Sequence, residues 1–145
     1  AGNRIGTAMV EQIRHHQAQW YPGAEKVLNQ LKEEGYSMVI LSNCKIAYRQ
    51  INWQEFGMER WFMDFFDCES FDFRPKTEII QEIKKALSPP FIVIGDRYSD
   101  LACARACQSP FIGCQYGFGE PGELEEADVL VDSVEKLPAA IASCC

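Results

Sequence analysis

The stretch Phe91-Ile92-Val93-Ile94-Gly95-Asp96-Arg97-Tyr98-Ser99-Asp100 decides the fold. Its uninterrupted apolar run is of strand length and suits a strand buried on both faces of a parallel sheet. Gly95 allows a tight exit from that strand. Two carboxylates follow, Asp96 at the strand tip and Asp100 in the first turn of a helix predicted over Ser99–Cys107. Spacing of i,i+4 brings both toward the same mouth. Working outward, Ser37–Leu41, Pro110–Gly113 and Asp128–Val131 are predicted strands. Ala24–Glu34 places Val27, Leu28 and Leu31 on one helical stripe and stops at Gly35. Lys76–Leu87 does the same with Ile79, Ile80, Ile83 and Leu87, and stops before Pro89-Pro90. Further helices are expected from near Lys45, over Glu123–Ala127 and over Val134–Ile141. Alternation of this kind predicts an α/β fold with helices on both sides of a parallel sheet.

Composition bounds the rest. The 145 residues fit one domain with a sizeable core. Apolar residues at 47% and charged residues at 24% exclude a disordered chain. No apolar run approaches the ~18 residues of a membrane span, and no signal peptide is visible at the N-terminus. The net charge of −7 argues against nucleic-acid partners, which demand Lys and Arg. Seven cysteines, Cys44, Cys68, Cys103, Cys107, Cys114, Cys144 and Cys145, are odd in number and lack a secretory context, so a reduced, cytoplasmic chain is expected. Cys103 and Cys107 lack the further ligands of a metal site and read as buried thiols.

In α/β folds of this kind ligands bind at the carboxyl ends of the strands. Asp96 and Asp100 there make a hard oxygen site suited to Mg²⁺; the alternative is a pair of helix-start acids. Ser42 and Asn43 follow the Ser37–Leu41 strand, where a hydroxyl and backbone N–H groups suit a phosphoryl oxygen; the alternative is a helix cap. Lys76 opens a helix, an unfavourable place for a cation, which suggests a task such as neutralising an anion. The alternative is a solvated surface lysine. Gly117-Phe118-Gly119-Glu120-Pro121-Gly122 spells a dinucleotide fingerprint, but Pro121 and the late position in the chain argue for a loop instead. Adjacent His15 and His16 point to different sides of a helix, and nothing pairs them with Cys44; surface positions are expected.

As an ordered set, Ser42, Lys76 and Gly95-Asp96-Arg97-Tyr98-Ser99-Asp100 resemble the second, third and fourth motifs of the haloacid-dehalogenase-like superfamily. Tyr21-Pro22-Gly23-Ala24, Leu31-Lys32 and Gly35-Tyr36 resemble its approach to the second motif. Tyr116-Gly117-Phe118-Gly119 and Ala127-Asp128 through Asp132-Ser133 resemble the tail of its phosphoglycolate-phosphatase-like members. The resemblance covers about Tyr21 to Ile141 and implies a three-layer sandwich around a Rossmann-like sheet. It implies a Mg²⁺-dependent phosphatase of a small phosphorylated metabolite, working through an aspartyl-phosphate. Ser42 and the Asn43 backbone would bind the phosphoryl oxygens, and Lys76 would stabilise the phosphoryl group and the nucleophile. Asp96 would hold Mg²⁺, with Asp100 beside it or behind it.

The family's first motif, an Asp-x-Asp at the end of a central strand, is not found. The first acidic residue is Glu11, in a helical pattern, and Asp64 and Asp67 come after the second motif. No nucleophile is assigned. The expectation is therefore a core, residues 21–145, missing its first central strand and most of a cap, preceded by the end of a cap or linker helix over residues 1–20, chiefly Gly6–Trp20. The missing strand would lie upstream or come from a second chain or a dimer partner. Two other functions follow from the same residues. One is a 2-haloacid dehalogenase, which uses no metal. The other is a pseudoenzyme that binds a phosphorylated ligand or a protein without hydrolysis.

Overall fold

The computed structural model describes residues 7–9, 14–15, 19–20, 23–87, 90–116 and 120–144. Its strands are β1 (Thr7–Met9), β2 (Arg14–His15), β3 (Gln19–Trp20), β4 (Ser37–Ser42), β5 (Phe62–Asp67), β6 (Ile92–Gly95), β7 (Phe111–Cys114) and β8 (Val129–Val131). Its helices are α1 (Ala24–Glu33), α2 (Ile46–Glu55), α3 (Lys76–Ile83), α4 (Tyr98–Cys107) and α5 (Leu137–Ser143). A six-stranded sheet runs in the order β5-β4-β1-β6-β7-β8. Every pairing in it is parallel. The pair β2–β3 is a separate antiparallel ribbon.

Alternation along the strands sorts the core onto the two faces of the sheet. Met38 and Ile40 of β4, with Ile92 and Ile94 of β6, pack against α1 and α5 through Leu28, Leu31, Leu137 and Ile141. Val39, Leu41 and Val93 pack against α3 and α4 through Ile79, Ile80, Ile83 and Leu101. Because both faces are covered, β6 is buried at all four positions, as its apolar run requires. The predicted three-layer α/β sandwich is the observed architecture.

Four details differ. The central place expected to be empty is taken by β1, which pairs with β4 on one side and β6 on the other. An empty place would leave two facing rows of unpaired N–H and C=O groups, and any extended segment that satisfies them is favoured there. The helix expected over Gly6–Trp20 is accordingly strand at its described residues, and β1 belongs to the core sheet instead of a linker. Strand β5 went unread because its alternation is broken: the register slips between Met38 and Val39, pairing Phe62 and then Asp64, and exposing both Met63 and Asp64. Glu123–Ala127 forms turns and no helix. The six described cysteines are free thiols, and Cys145, His16 and Gly117–Gly119 lie outside the described residues.

The chain runs from β1 outward to β4 and β5, then returns to β6 and runs outward the other way to β7 and β8. The reversal falls beside β1, so the crevice for a ligand lies at the carboxyl ends of β4, β1 and β6. No helix among the described residues is long and apolar enough to cross a membrane.

Candidate active site

Sheet register places the two halves of the site at one height. Met9 pairs with Val39 of β4 and with Val93 of β6. Ser42 and Asp96 each stand three residues beyond those partners, so they rise to the same level on either side of the β1 line. Two strand spacings, about 9–10 Å, separate their backbones. Ser42 is the last residue of β4 and is buried. Its carbonyl accepts the Cys44 N–H at 2.9 Å, which turns the chain sharply toward α2. Asn43 is exposed, and the loop opens on a groove lined by Ser42, Asn43, Cys44, Lys45, Ala47 and Tyr48.

Across the crevice the structure brings Lys76, Asp96 and Asp100 together. Lys76 begins α3 behind Pro75, with its side chain only 7% exposed. Its ammonium donates to Asp100 Oδ1 at 2.8 Å. The other Asp100 oxygen accepts the backbone N–H groups of Asp96 and Arg97, both at 3.3 Å. A lysine at a positive helix end is stabilised here by a fully formed buried ion pair. Asp100 thus acts as a strut: it holds Lys76 with one oxygen and the Asp96 turn with the other. Asp96 itself is 2% exposed at the tip of β6. Gly95 is required by this closeness, because a Cβ there would lie 2.3 Å from Asp100 Oδ2 and 2.4 Å from Asp100 Cβ.

Electrostatics separates the two sides. Burial pushes the Cys114 thiol at the end of β7 up to about 12, with the Asp96 and Asp100 charges adding to it and a hydrogen bond with Tyr116 opposing it. Cys114 therefore stays a protonated thiol at neutral pH and is no nucleophile. Two glutamates escaped the sequence reading. Glu69 accepts the Ile46 N–H at 2.9 Å, and Glu123 accepts the N–H groups of Tyr98 and Glu120 and the Arg97 guanidinium. Basic N-cap residues, Lys45 of α2 and Arg97 of α4, are a signal that caps must come from elsewhere, since neither side chain carries an oxygen.

The backbone N–H groups of Glu120 and then Tyr98, followed by Arg97, hold the Glu123 carboxyl below its ordinary range. A depressed carboxylate stabilises the fold fully above its unfolded value, and the contribution is lost as pH falls through the folded value. The stability difference between the protein and Glu123→Gln should therefore shrink on acidification below about pH 4.3. Thermal melts from neutral to acidic pH test it; a difference that does not change with pH would remove Glu123 as a charged cap.

The chain belongs to the haloacid dehalogenase-like hydrolase family, whose model matches residues 4–108. It is 21% identical to the phosphoglycolate phosphatase of Vibrio parahaemolyticus, over 97% of this chain and 64% of that protein. It is 28% identical to a plasmid-borne phosphoglycolate phosphatase of Cupriavidus necator, over 83% of this chain and 55% of that protein. The chain thus spans less than two thirds of the length of these curated relatives. Among solved structures it resembles a predicted phosphatase from Clostridium acetobutylicum, with a TM-score of 0.78 at 27% identity, over 86% of this chain and 61% of that one. It shares its fold with a predicted phosphoglycolate phosphatase from Haemophilus somnus, with a TM-score of 0.74 at 20% identity, over 84% of this chain and 57% of that one.

Proposed function

We propose that this chain carries the core of a Mg²⁺-dependent phosphatase acting on a small phosphorylated metabolite in the cytoplasm. The observation that supports it most is the buried Lys76–Asp100 pair beneath Asp96, facing Ser42 across the β1 line. In this reading the Ser42 hydroxyl and the Asn43 backbone N–H receive phosphoryl oxygens. Lys76 offsets the charge that gathers on the phosphoryl group. Asp100 keeps the Lys76 ammonium at a fixed point, so no reorganisation is needed as charge develops.

Mg²⁺ binds through one or two carboxylates, substrate oxygens and several waters, so a site with few protein ligands suits it. Asp96 is the carboxylate assigned to it, since both oxygens of Asp100 already accept hydrogen bonds. Among the described residues no group of three His, Cys, Asp or Glu forms a fuller cage. When bound, the cation would screen the repulsion between phosphate and carboxylate. The aspartate that takes the phosphoryl group is assigned to a segment other than residues 23–144, or to a second chain. The relatives' names make phosphoglycolate the first substrate to try.

One observation favours a second reading. The central strand β1 is Thr7-Ala8-Met9 and bears no carboxylate. A pseudoenzyme that binds phosphorylated ligands without hydrolysing them would need none. Hydrolysis of para-nitrophenyl phosphate by the protein in its full encoded length, with Mg²⁺ and with a chelator, separates the readings. Under the phosphatase reading, Mg²⁺ sustains turnover and Asp96→Asn abolishes it. Halide release from a 2-haloacid without added metal, and no hydrolysis of the phosphate ester, would point instead to a dehalogenase. Undiminished phosphate-ester turnover in Asp96→Asn would remove Asp96 from the chemistry. Phosphate binding with no turnover under any condition would favour the pseudoenzyme.

A further inference from the structure

Helix α2 follows the Ser42 loop directly, yet it brings no cap of its own. Its N-cap is Lys45 in extended conformation, and its first turn holds no acid. The missing acceptor comes from just beyond the far end of β5. Glu69 Oε1 accepts the Ile46 N–H from 23 positions downstream. Its two predecessors hold the same region. The Cys68 backbone N–H and thiol both donate to the Cys44 carbonyl, at 3.2 and 3.3 Å. The Asp67 carboxylate, paired in register with Ser42, lies 2.7 Å from Arg49 Nε on α2. Asp67 is in turn fixed by the Ser70 N–H and hydroxyl. Three consecutive residues thereby grip Arg49, Cys44 and Ile46.

We propose that Glu69 is a positioning residue for phosphate recognition, acting through the Ser42–Ile46 loop. The inference rests on the phosphatase reading, in which that loop receives the phosphoryl oxygens. Strand β4 anchors the loop at Ser42, and Glu69 anchors it at Ile46. A loop held at both ends presents its hydroxyl and N–H groups in one arrangement and loses little freedom when an anion binds. The capping oxygen also ties the segment after β5 to the start of α2, just past Ser42 and Asp67, the last pair of the β4–β5 ladder.

The test uses inorganic phosphate and calorimetry, with amide hydrogen exchange as the second readout. Wild type against Ser42→Ala first examines the phosphatase reading: if phosphate binds and Ser42→Ala weakens it, that reading stands. Glu69→Ala should then weaken phosphate by about fivefold to tenfold, the scale of one lost helix cap. Amides of residues 43–46 should exchange faster, while those of β6 and α4 keep their protection. Glu69→Gln retains a carbonyl oxygen for the Ile46 N–H and should restore both readouts. Phosphate affinity within twofold of wild type in Glu69→Ala would overturn the proposal while leaving the phosphatase reading intact. Faster exchange spread equally over β6 and α4 would also overturn it, since Glu69 would then serve only overall stability. Phosphate affinity insensitive to Ser42→Ala would sink the underlying reading, and the assignment of Glu69 with it.

Discussion

Lys76→Met is expected to destabilise the folded protein by about 3–5 kcal/mol, the usual cost of removing one member of a buried ion pair. Both side chains are nearly out of water, at 7% and 5% exposure, so the solvent cannot replace the lost partner. The penalty arises from the carboxylate left behind more than from the attraction lost. Asp100 must still accept the Asp96 and Arg97 N–H groups, so it cannot swing outward without uncapping α4. The double variant Lys76→Met/Asp100→Asn removes the stranded charge and keeps a carbonyl oxygen for the backbone. It should be more stable than Lys76→Met alone. Denaturant unfolding of the set checks this, and a loss below about 1 kcal/mol for Lys76→Met would mean that the pair is solvated. On the phosphatase reading the same single change should lower kcat by about 10²–10³, as losing one preorganised donor does. A loss under tenfold would mean that Lys76 does not stabilise the transition state.

Gly95→Ala is expected to disrupt the site with one methyl group. The added carbon would overlap the Asp100 Cβ and Cγ at 2.4 Å, well inside van der Waals contact. A flexible side-chain tip could rotate away, but the Asp100 Cβ is fixed to the first turn of α4. Either β6 or α4 must move. Overpacking of this kind costs about 1–3 kcal/mol. The displacement acts along the strut between Lys76 and the Asp96 turn, so on the phosphatase reading stability and Mg²⁺ affinity should fall together. Isothermal titration with Mg²⁺ beside a thermal melt would show it. Wild-type stability in Gly95→Ala would mean that β6 and α4 separate without cost and that the close approach does not constrain the site.

Much of this was legible in the chain itself. Short apolar runs mark β4, β6 and β7 because a strand covered on both faces has no polar side to show. Lys76 stood out because a cation at a helix start needs compensation. The Gly95-to-Asp100 spacing revealed two acids at one mouth, and the order of Ser42, Lys76 and Asp96 carried the family. These features are local: each is encoded within a turn of helix or a few residues of strand.

What only the tertiary structure decided lies between residues distant in sequence. Lys76 meets Asp100 across 24 positions, Ile46 meets Glu69 across 23, and Tyr98 meets Glu123 across 25. No periodicity records such pairs. The same holds for Thr7–Met9 in the central place of the sheet, where backbone hydrogen bonding on both sides overrides a helical pattern, and for β5, whose bulge breaks the alternation that would have announced it. The sequence by itself determined which residues line the carboxyl ends of the strands. Packing decided which acid contacts the lysine and which loops are held in place, because those choices depend on distances that only the folded chain sets.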